Sequence, residues 1–431
     1  MKGLLNGKNA NRIAFFDFEF DTEVERFVNM AKLTDARKCA LKSLIYARER
    51  QVYPTEIVYE VCDGCGLNET DRAFCVNLVR GVVSYQLCLD HVIDNAVEKK
   101  PKMSSSVRDA LRISVYELLF LDKEAYASVS QGIELVKSIA SHAAGLASAI
   151  LHKVSKVCLP DSFALRHGFP EWLGDYLSEL LGKDSAELFM TLSCDNPKLQ
   201  FVSNFLKPPK TPVLGIQGAI DASHAGNVII ADKSAQAIAE EVALAMKPFG
   251  HKTLLEVGAG RGTKTALIQS FAASIGAKIQ THDVLDNSSA RLDKLKERQN
   301  SCGFELRDII CGDATNILLG CKYDFIFIDA PCTGLGTLRR HPEIKSRITR
   351  ENIYESAKLQ LDILNHVSKA LDSDGLIFYS TCSVAREENE GLIDSFLSSG
   401  AGKNFELDHI VRRAKLTNVT DAHFCACLKR R

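Results

Sequence analysis

From about residue 231 to the end of the chain, apolar runs alternate with amphipathic ones, and this rhythm constrains the fold more than any other feature. The runs TLLEVGA (253–259), KIQTHD (278–283), RDIICGD (307–313), YDFIFIDA (323–330) and GLIFYSTC (375–382) read as strands. Helical patterns fall between and after them, and HFCACLKR near the end alternates like one more strand. Apolar strands separated by helices predict a doubly wound, mostly parallel α/β sheet covered on both faces. Such sheets take ligands beyond the carboxyl ends of their strands. Each of the five runs closes on a polar or reactive residue there: Glu256, Asp283, Asp313, Asp329 and Cys382.

The rest of the chain has a different character. Residues 34–158 carry apolar positions at three- and four-residue spacing, as in TDARKCALKSLIYARER and SSSVRDALRISVYELLFL, with Ser104 to Ser106 as N-cap candidates. The pattern predicts an all-α bundle of four or more helices. Residues 159–230 are punctuated by HGFP, DNPK and KPPKTP and read as a connecting subdomain, with LQFVSNFL and NVIIAD as short strands. Residues 1–33 lack periodicity and read as an extension. A chain of 431 residues with 46% hydrophobic and 25% charged residues falls in the class of multidomain soluble proteins. No apolar run is long enough for a membrane span and no signal peptide is evident, so a cytoplasmic, monomeric protein without membrane association is expected. The net charge of −1 gives no general attraction to polyanions, so a nucleic-acid site must be a local basic patch. Fourteen cysteines spread thinly through the chain do not form a disulfide framework. CDGC at 62–65 is a lone C-x-x-C, a weak zinc signal, and no metal is expected.

Two constellations carry chemistry. In LLEVGAGRGTKT, Gly258, Gly260 and Gly262 follow a strand and open a helix, so the backbone can turn sharply and approach a ligand. A structural tight turn is the plainer alternative. Asp283, 27 residues after Glu256, is placed to hold ribose hydroxyls, with Asp286 as the alternative, and Asp313 is placed for an adenine amino group. A dinucleotide fold would want its third glycine one residue later, so S-adenosylmethionine fits better. Cys332 in DAPC and Cys382 in STCS lie just past two strand ends. They could be buried thiols that happen to end strands, but paired thiols beside an acid suit addition to carbon 6 of a pyrimidine, which activates carbon 5 toward a methyl donor.

DAPCTGLGTLRRHPEIK, YSTCSVAREENE and the glycine loop together resemble the RNA 5-methylcytosine methyltransferases, above all the RsmB type. DRAFCVNLVRGVVSYQLCLDHVI, VRDALRISVYELLFLD and GLASAILHKV resemble the NusB-like RNA-binding domain at the N-terminus of that type. The resemblance implies a class I methyltransferase domain over 231–431 behind a NusB-like bundle, acting on small-subunit ribosomal RNA. It implies Cys382 as nucleophile, Cys332 in breakdown of the adduct, and Asp329 at the cytosine edge with Lys264 close by. Gly258, Gly260, Gly262, Thr263, Lys264, Asp283, Asp313 and Asp329 would hold S-adenosyl-L-methionine. The glycine loop departs from the family pattern C-A-A-P-G-G-K, with Arg261 for proline and Thr263 for glycine, and Ser346 stands where an aromatic residue is usual. The basic stretch after Asp329, with Arg339, Arg340 and Lys345, is expected to seat RNA phosphates, a solvated charged face being the alternative. Transfer RNA as substrate, or a non-catalytic assembly role, are the alternatives to ribosomal RNA methylation. Loss of a thiol or of Asp329 would mark the non-catalytic case, and none is lost.

Overall fold

The computed structural model describes residues 34–98, 102–121, 124–154, 157, 159–247 and 251–431. The expected extension over 1–33 lies outside the described residues. These fall into two compact units. The first comprises residues 34–52, 57–79 and 92–157, and the second 53–56, 80–91 and 159–431. The division therefore does not follow the chain at a single boundary near 158, and the segments at 159–230 and 231–431 belong to one unit.

The first unit is helical. Helices α1 (Asp35–Arg50), α2 (Pro54–Gly64), α3 (Glu69–Ser84), α4 (Gln86–Asn95), α5 (Ser105–Phe120), α6 (Ala125–Ile139) and α7 (Ala144–Val154) run through residues 35–154, and parts of α2, α3 and α4 fall in the second unit. The N-cap expected before α5 is present: the Ser104 hydroxyl accepts the Val107 N–H at 3.3 Å. The cysteines of CDGC enter two thiol pairs, Cys65 with Cys39 and Cys62 with Cys75. Among the described residues, three metal-ligating side chains close to within 4.8 Å of one another only at Asp408, His409 and Cys427. There the Lys429 ammonium sits 3.2 Å from Asp408.

From residue 159 onward the second unit runs first through helices α8 (Phe163–Arg166), α9 (Glu171–Leu181) and α10 (Lys183–Leu192). The two short strands expected in the connecting region pair antiparallel, β1 (Phe201–Ser203) against β2 (Val228–Ile230), with α11 (Gly215–His224) between them. The main sheet then assembles from β3 (His251–Val257), β4 (Lys278–Asp286), β5 (Ile309–Cys311), β6 (Tyr323–Asp329), β7 (Leu371–Thr381), β8 (Phe405–Arg412) and β9 (Phe424–Arg430). Its order is β5-β4-β3-β6-β7-β9-β8. The first five are parallel, and β9 and β8 close the sheet antiparallel.

Side chains alternate through this sheet into two cores. Leu254, Phe325, Phe327 and Phe378 face one side, where α12 (Lys233–Met246) and α13 (Thr263–Ile275) pack. Leu255, Ile326, Ile328 and Tyr379 face the other, beneath α16 (Arg350–Val367) and α17 (Glu390–Ser398). Two-sided burial explains why the central strands read as unbroken apolar runs. Helix α14 (Ser289–Cys302) follows β4, and the short α15 (Ile344–Arg347) lies in the loop after β6. β8 is additional to the expected strands: its residues are mostly half-exposed or exposed at the sheet edge, so its pattern is weak. No helix among the described residues is long and apolar enough to cross a membrane.

Candidate active site

The carboxyl ends of β3, β6 and β7 meet in one cavity of about 510 Å³, lined by Gly258, Lys264, Asp329, Cys332, Cys382 and His423 among others. Adjacent parallel strands bring these residues together, since β6 pairs with both β3 and β7. The glycine loop turns from β3 into α13 with Gly258, Gly260 and Gly262 at φ of 79°, 56° and 76°. At Gly258 the need is absolute: a Cβ would stand 2.2 Å from the Asp329 carbonyl oxygen. Only a bare backbone lets this loop lie against the end of β6.

Asp329 and Lys264 form a close ion pair at the cavity wall. Burial alone would lower the pKa of the Lys264 ammonium, but the charge and hydrogen bond of Asp329 outweigh it and hold it above its ordinary value. Cys332 and Cys382 come within 2.9 Å of each other, sulfur to sulfur. The Cys382 backbone N–H also donates to the Cys332 sulfur at 3.3 Å. The hydrogen bond to Cys382 and burial push the Cys332 thiol well above its ordinary pKa, so it keeps its proton at neutral pH beside the second sulfur.

One buried carboxylate ties the two thiol loops together. Glu388 accepts the Thr333 N–H at 2.8 Å and the Gln360 amide at 2.9 Å, together with the hydroxyls of Thr333 and Ser383. Thr333 follows Cys332 and Ser383 follows Cys382, so Glu388 sets the spacing of the pair without touching either sulfur. Removing it leaves several buried donors unpaired. Glu388→Ala is therefore expected to cost about 2–4 kcal/mol in denaturant unfolding, with loss of activity. An unchanged unfolding midpoint would show that the loops hold themselves.

The structure relocates several expected residues. Asp283 does not end its strand: β4 continues through Val284 and Leu285 to Asp286. The Asp283 carboxylate is buried, receives the Tyr323 hydroxyl at 2.7 Å and the Asp308 N–H at 3.1 Å, and pairs with Arg307. It is a structural acid. Asp286 occupies the strand end, where it accepts the Gly260 N–H at 2.9 Å and faces Arg291 at 3.0 Å. Asp313 stands exposed past β5 at the same sheet end, capped by the Thr315 N–H at 2.8 Å, and is outside the cavity lining. Thr263 is in the lining.

The basic loop also differs from expectation. Arg339 is buried, with Nε donating to the Leu192 carbonyl at 3.2 Å and Nη2 to that of Thr417. Lys345 is 1% exposed, and its ammonium donates to the Ser84 and His167 carbonyls at 3.1 Å each while lying over the Phe169 ring. Neither can reach a phosphate, because both spend their donors inside the protein. Arg340 alone of the three lines the cavity, paired with Asp421 at 2.6 Å and Asp232 at 3.3 Å.

His423 was invisible to motif reading. It is buried in the cavity wall, with Nδ1 lacking a hydrogen-bond partner and 3.9 Å from Asp232. Burial first, then the charges of Lys264, Arg340 and Arg412, hold its pKa well below the ordinary value, so the ring is neutral. Its only sequence signal is a polar residue at the start of the apolar run of β9.

Two regions of the chain match known families. Residues 243–423 match the 16S rRNA methyltransferase RsmB/F family model, and residues 34–156 match that of the NusB family. A probable ribosomal RNA small subunit methyltransferase B of Bacillus subtilis is 25% identical over 405 residues, spanning 85% of this chain and 89% of that protein. The ribosomal RNA small subunit methyltransferase B of Thermus thermophilus is 27% identical over 343 residues, 77% of this chain and 79% of its own. Among solved structures, PH0851 superposes with a TM-score of 0.73 at 20% identity, covering 93% of this chain and all of that one. NSun6 from Pyrococcus horikoshii, crystallised with SFG, gives 0.50 at 17% identity over 61% of this chain and 98% of its own. Both likenesses concern the fold. Residues 34–156 are therefore similar to the NusB family, and residues 243–423 to the 16S rRNA methyltransferase RsmB/F family.

Proposed function

We propose that this protein methylates carbon 5 of a cytosine in small-subunit ribosomal RNA, in the cytoplasm, with S-adenosyl-L-methionine as donor and Cys382 as covalent nucleophile. The observation that carries the reading is the pair of sulfurs 2.9 Å apart, in one cavity with Asp329, Lys264 and the glycine loop. A small-molecule methyltransferase has no use for two thiols so placed.

The residues present suit the donor. The glycine loop offers a bare concave backbone, and Gly258 admits no side chain. Gly258, Gly260, Gly262, Thr263 and Lys264 would cradle it, with Asp286 at the strand end for the ribose and Asp313 one strand further for the adenine. When bound, S-adenosylmethionine supplies an electrophilic methyl group. The chain's own residues do the rest. Asp329 holds the cytosine edge, oriented by Lys264. The Cys382 sulfur forms a bond to carbon 6, and the ring electrons displaced toward carbon 5 make that carbon nucleophilic. After methylation the carbon-5 proton is lost to solvent, its bonding electrons restore the 5,6 double bond, and the carbon–sulfur pair leaves with the Cys382 sulfur as a thiolate, a release that Cys332 assists.

A target base inside a duplex cannot reach both thiol and donor, so the substrate base is extruded or single-stranded. The test is to incubate the protein in parallel with small-subunit ribosomal RNA and with transfer RNA, each with methyl-labelled donor, then digest each RNA to nucleosides and separate them. Label in 5-methylcytidine is expected. Label in another nucleoside, or in transfer RNA alone, would sink the chemistry or the substrate respectively.

A further inference from the structure

A second cavity, about 760 Å³, opens beside the catalytic one between α11, the glycine loop and α14. Arg261, Arg291, Lys294 and Arg298 line it with His224, against a single carboxylate, Glu297. Lys294 meets Glu297 at 2.9 Å only as an exposed i,i+3 pair, which is weak and leaves the ammonium open to an anion, whereas Arg291 is held by the buried Asp286 at 3.0 Å. Two cations remain. Arg298 donates from Nε to the Arg261 carbonyl at 3.0 Å, and among the described residues neither guanidinium has a carboxylate within ion-pair distance. Arg298 is half-buried and Arg261 exposed, and both line the cleft without a counter-charge, so an anion seated there gains charge-assisted hydrogen bonds from both. Arg261 and Arg291 also line the catalytic cavity, so the two spaces share a wall.

Resting on the reading of RNA as substrate, we propose that this cleft binds the sugar-phosphate backbone of the RNA strand beside the target nucleotide. It does the seating expected of Arg339 and Lys345, which are turned inward. Extruding a base loses stacking, and charge-assisted contacts to flanking phosphates offset that loss while fixing the register of the strand. The loop's departure from the family pattern, Arg261 in place of proline, then has a use: its side chain reaches RNA while its carbonyl anchors Arg298. Lys296, on the same helix but outside the lining of the cleft, is not part of the track.

The test uses the full chain and a single-stranded fragment of small-subunit ribosomal RNA, with affinity measured across a salt series. Lys294→Ala/Arg298→Ala is expected to weaken binding on the order of tenfold at low salt. The slope of log affinity against log salt should flatten by about 1.4, from roughly 0.7 per lost single-strand phosphate contact. Lys294→Ala alone should flatten it by about half as much, which guards against any effect of Arg298 on the loop. KM for RNA should rise with kcat at saturating RNA and donor affinity unchanged, and Lys296→Ala should match the parent. If the parent binds and methylates RNA while both variants keep its affinity and slope, the strand runs elsewhere and the proposal is overturned. If the parent itself neither binds nor methylates RNA, it is the reading of the substrate that fails.

Discussion

Cys382→Ala is expected to lower methyl transfer by roughly four orders of magnitude or more, because deleting a nucleophile leaves only binding and orientation. Cofactor binding and the unfolding midpoint should stay close to the parent's. The side chain is partly exposed to the cavity, so its loss leaves no buried hole, and the Cys382 N–H retains its bond to the Cys332 sulfur. A folded, donor-binding Cys382→Ala protein that still methylates RNA at a tenth of the parent rate would remove this thiol from the chemistry.

Asp329→Ala should be nearly as damaging, for two separable reasons. The base loses its partner at the ring edge, worth roughly 10²–10⁴ in rate for a positioned proton-handling group. Lys264, which is buried, loses its counter-charge. Stranding a buried cation costs about 3 kcal/mol, at the lower end for such pairs because Asp329 is itself 30% exposed. Asp329→Asn keeps the shape and part of the hydrogen bonding, so it should recover stability more than rate. Equal recovery of both would mean that Asp329 only supports Lys264.

The legible part of this molecule was the part written locally. The central strands β3, β6 and β7 showed as apolar runs because both faces of the sheet are buried there, and the thiols were visible because DAPC and STCS sit where strands stop. Errors arose where burial and partnership depend on distant segments. Asp283 looked like a strand end because an acid rarely continues a buried strand; Arg307 and the Tyr323 hydroxyl, far along the chain, make it tolerable there. Arg339 and Lys345 looked like a phosphate-binding track by charge count alone. Their partners, the carbonyls of Leu192, Thr417, Ser84 and His167, are backbone groups that leave no mark in composition. Glu388 and His423 were missed for the same reason: one is defined by loops that meet only in the fold, the other by a cavity it closes. The pair Arg261 and Arg298 joins a loop and a helix 37 residues apart, which spacing rules do not connect.

The central claim is that two adjacent thiols divide one reaction, Cys382 attacking and Cys332 releasing. Its most direct test is Cys332→Ala incubated with donor and RNA, denatured, digested with protease and nuclease, and analysed by mass spectrometry. A peptide containing Cys382, linked to a cytidine that already carries the methyl group, is the expected species, and the parallel Cys382→Ala digest should contain no linked peptide. A nucleotide linked instead to Cys332 in the Cys382→Ala protein would reverse the two roles and contradict the account.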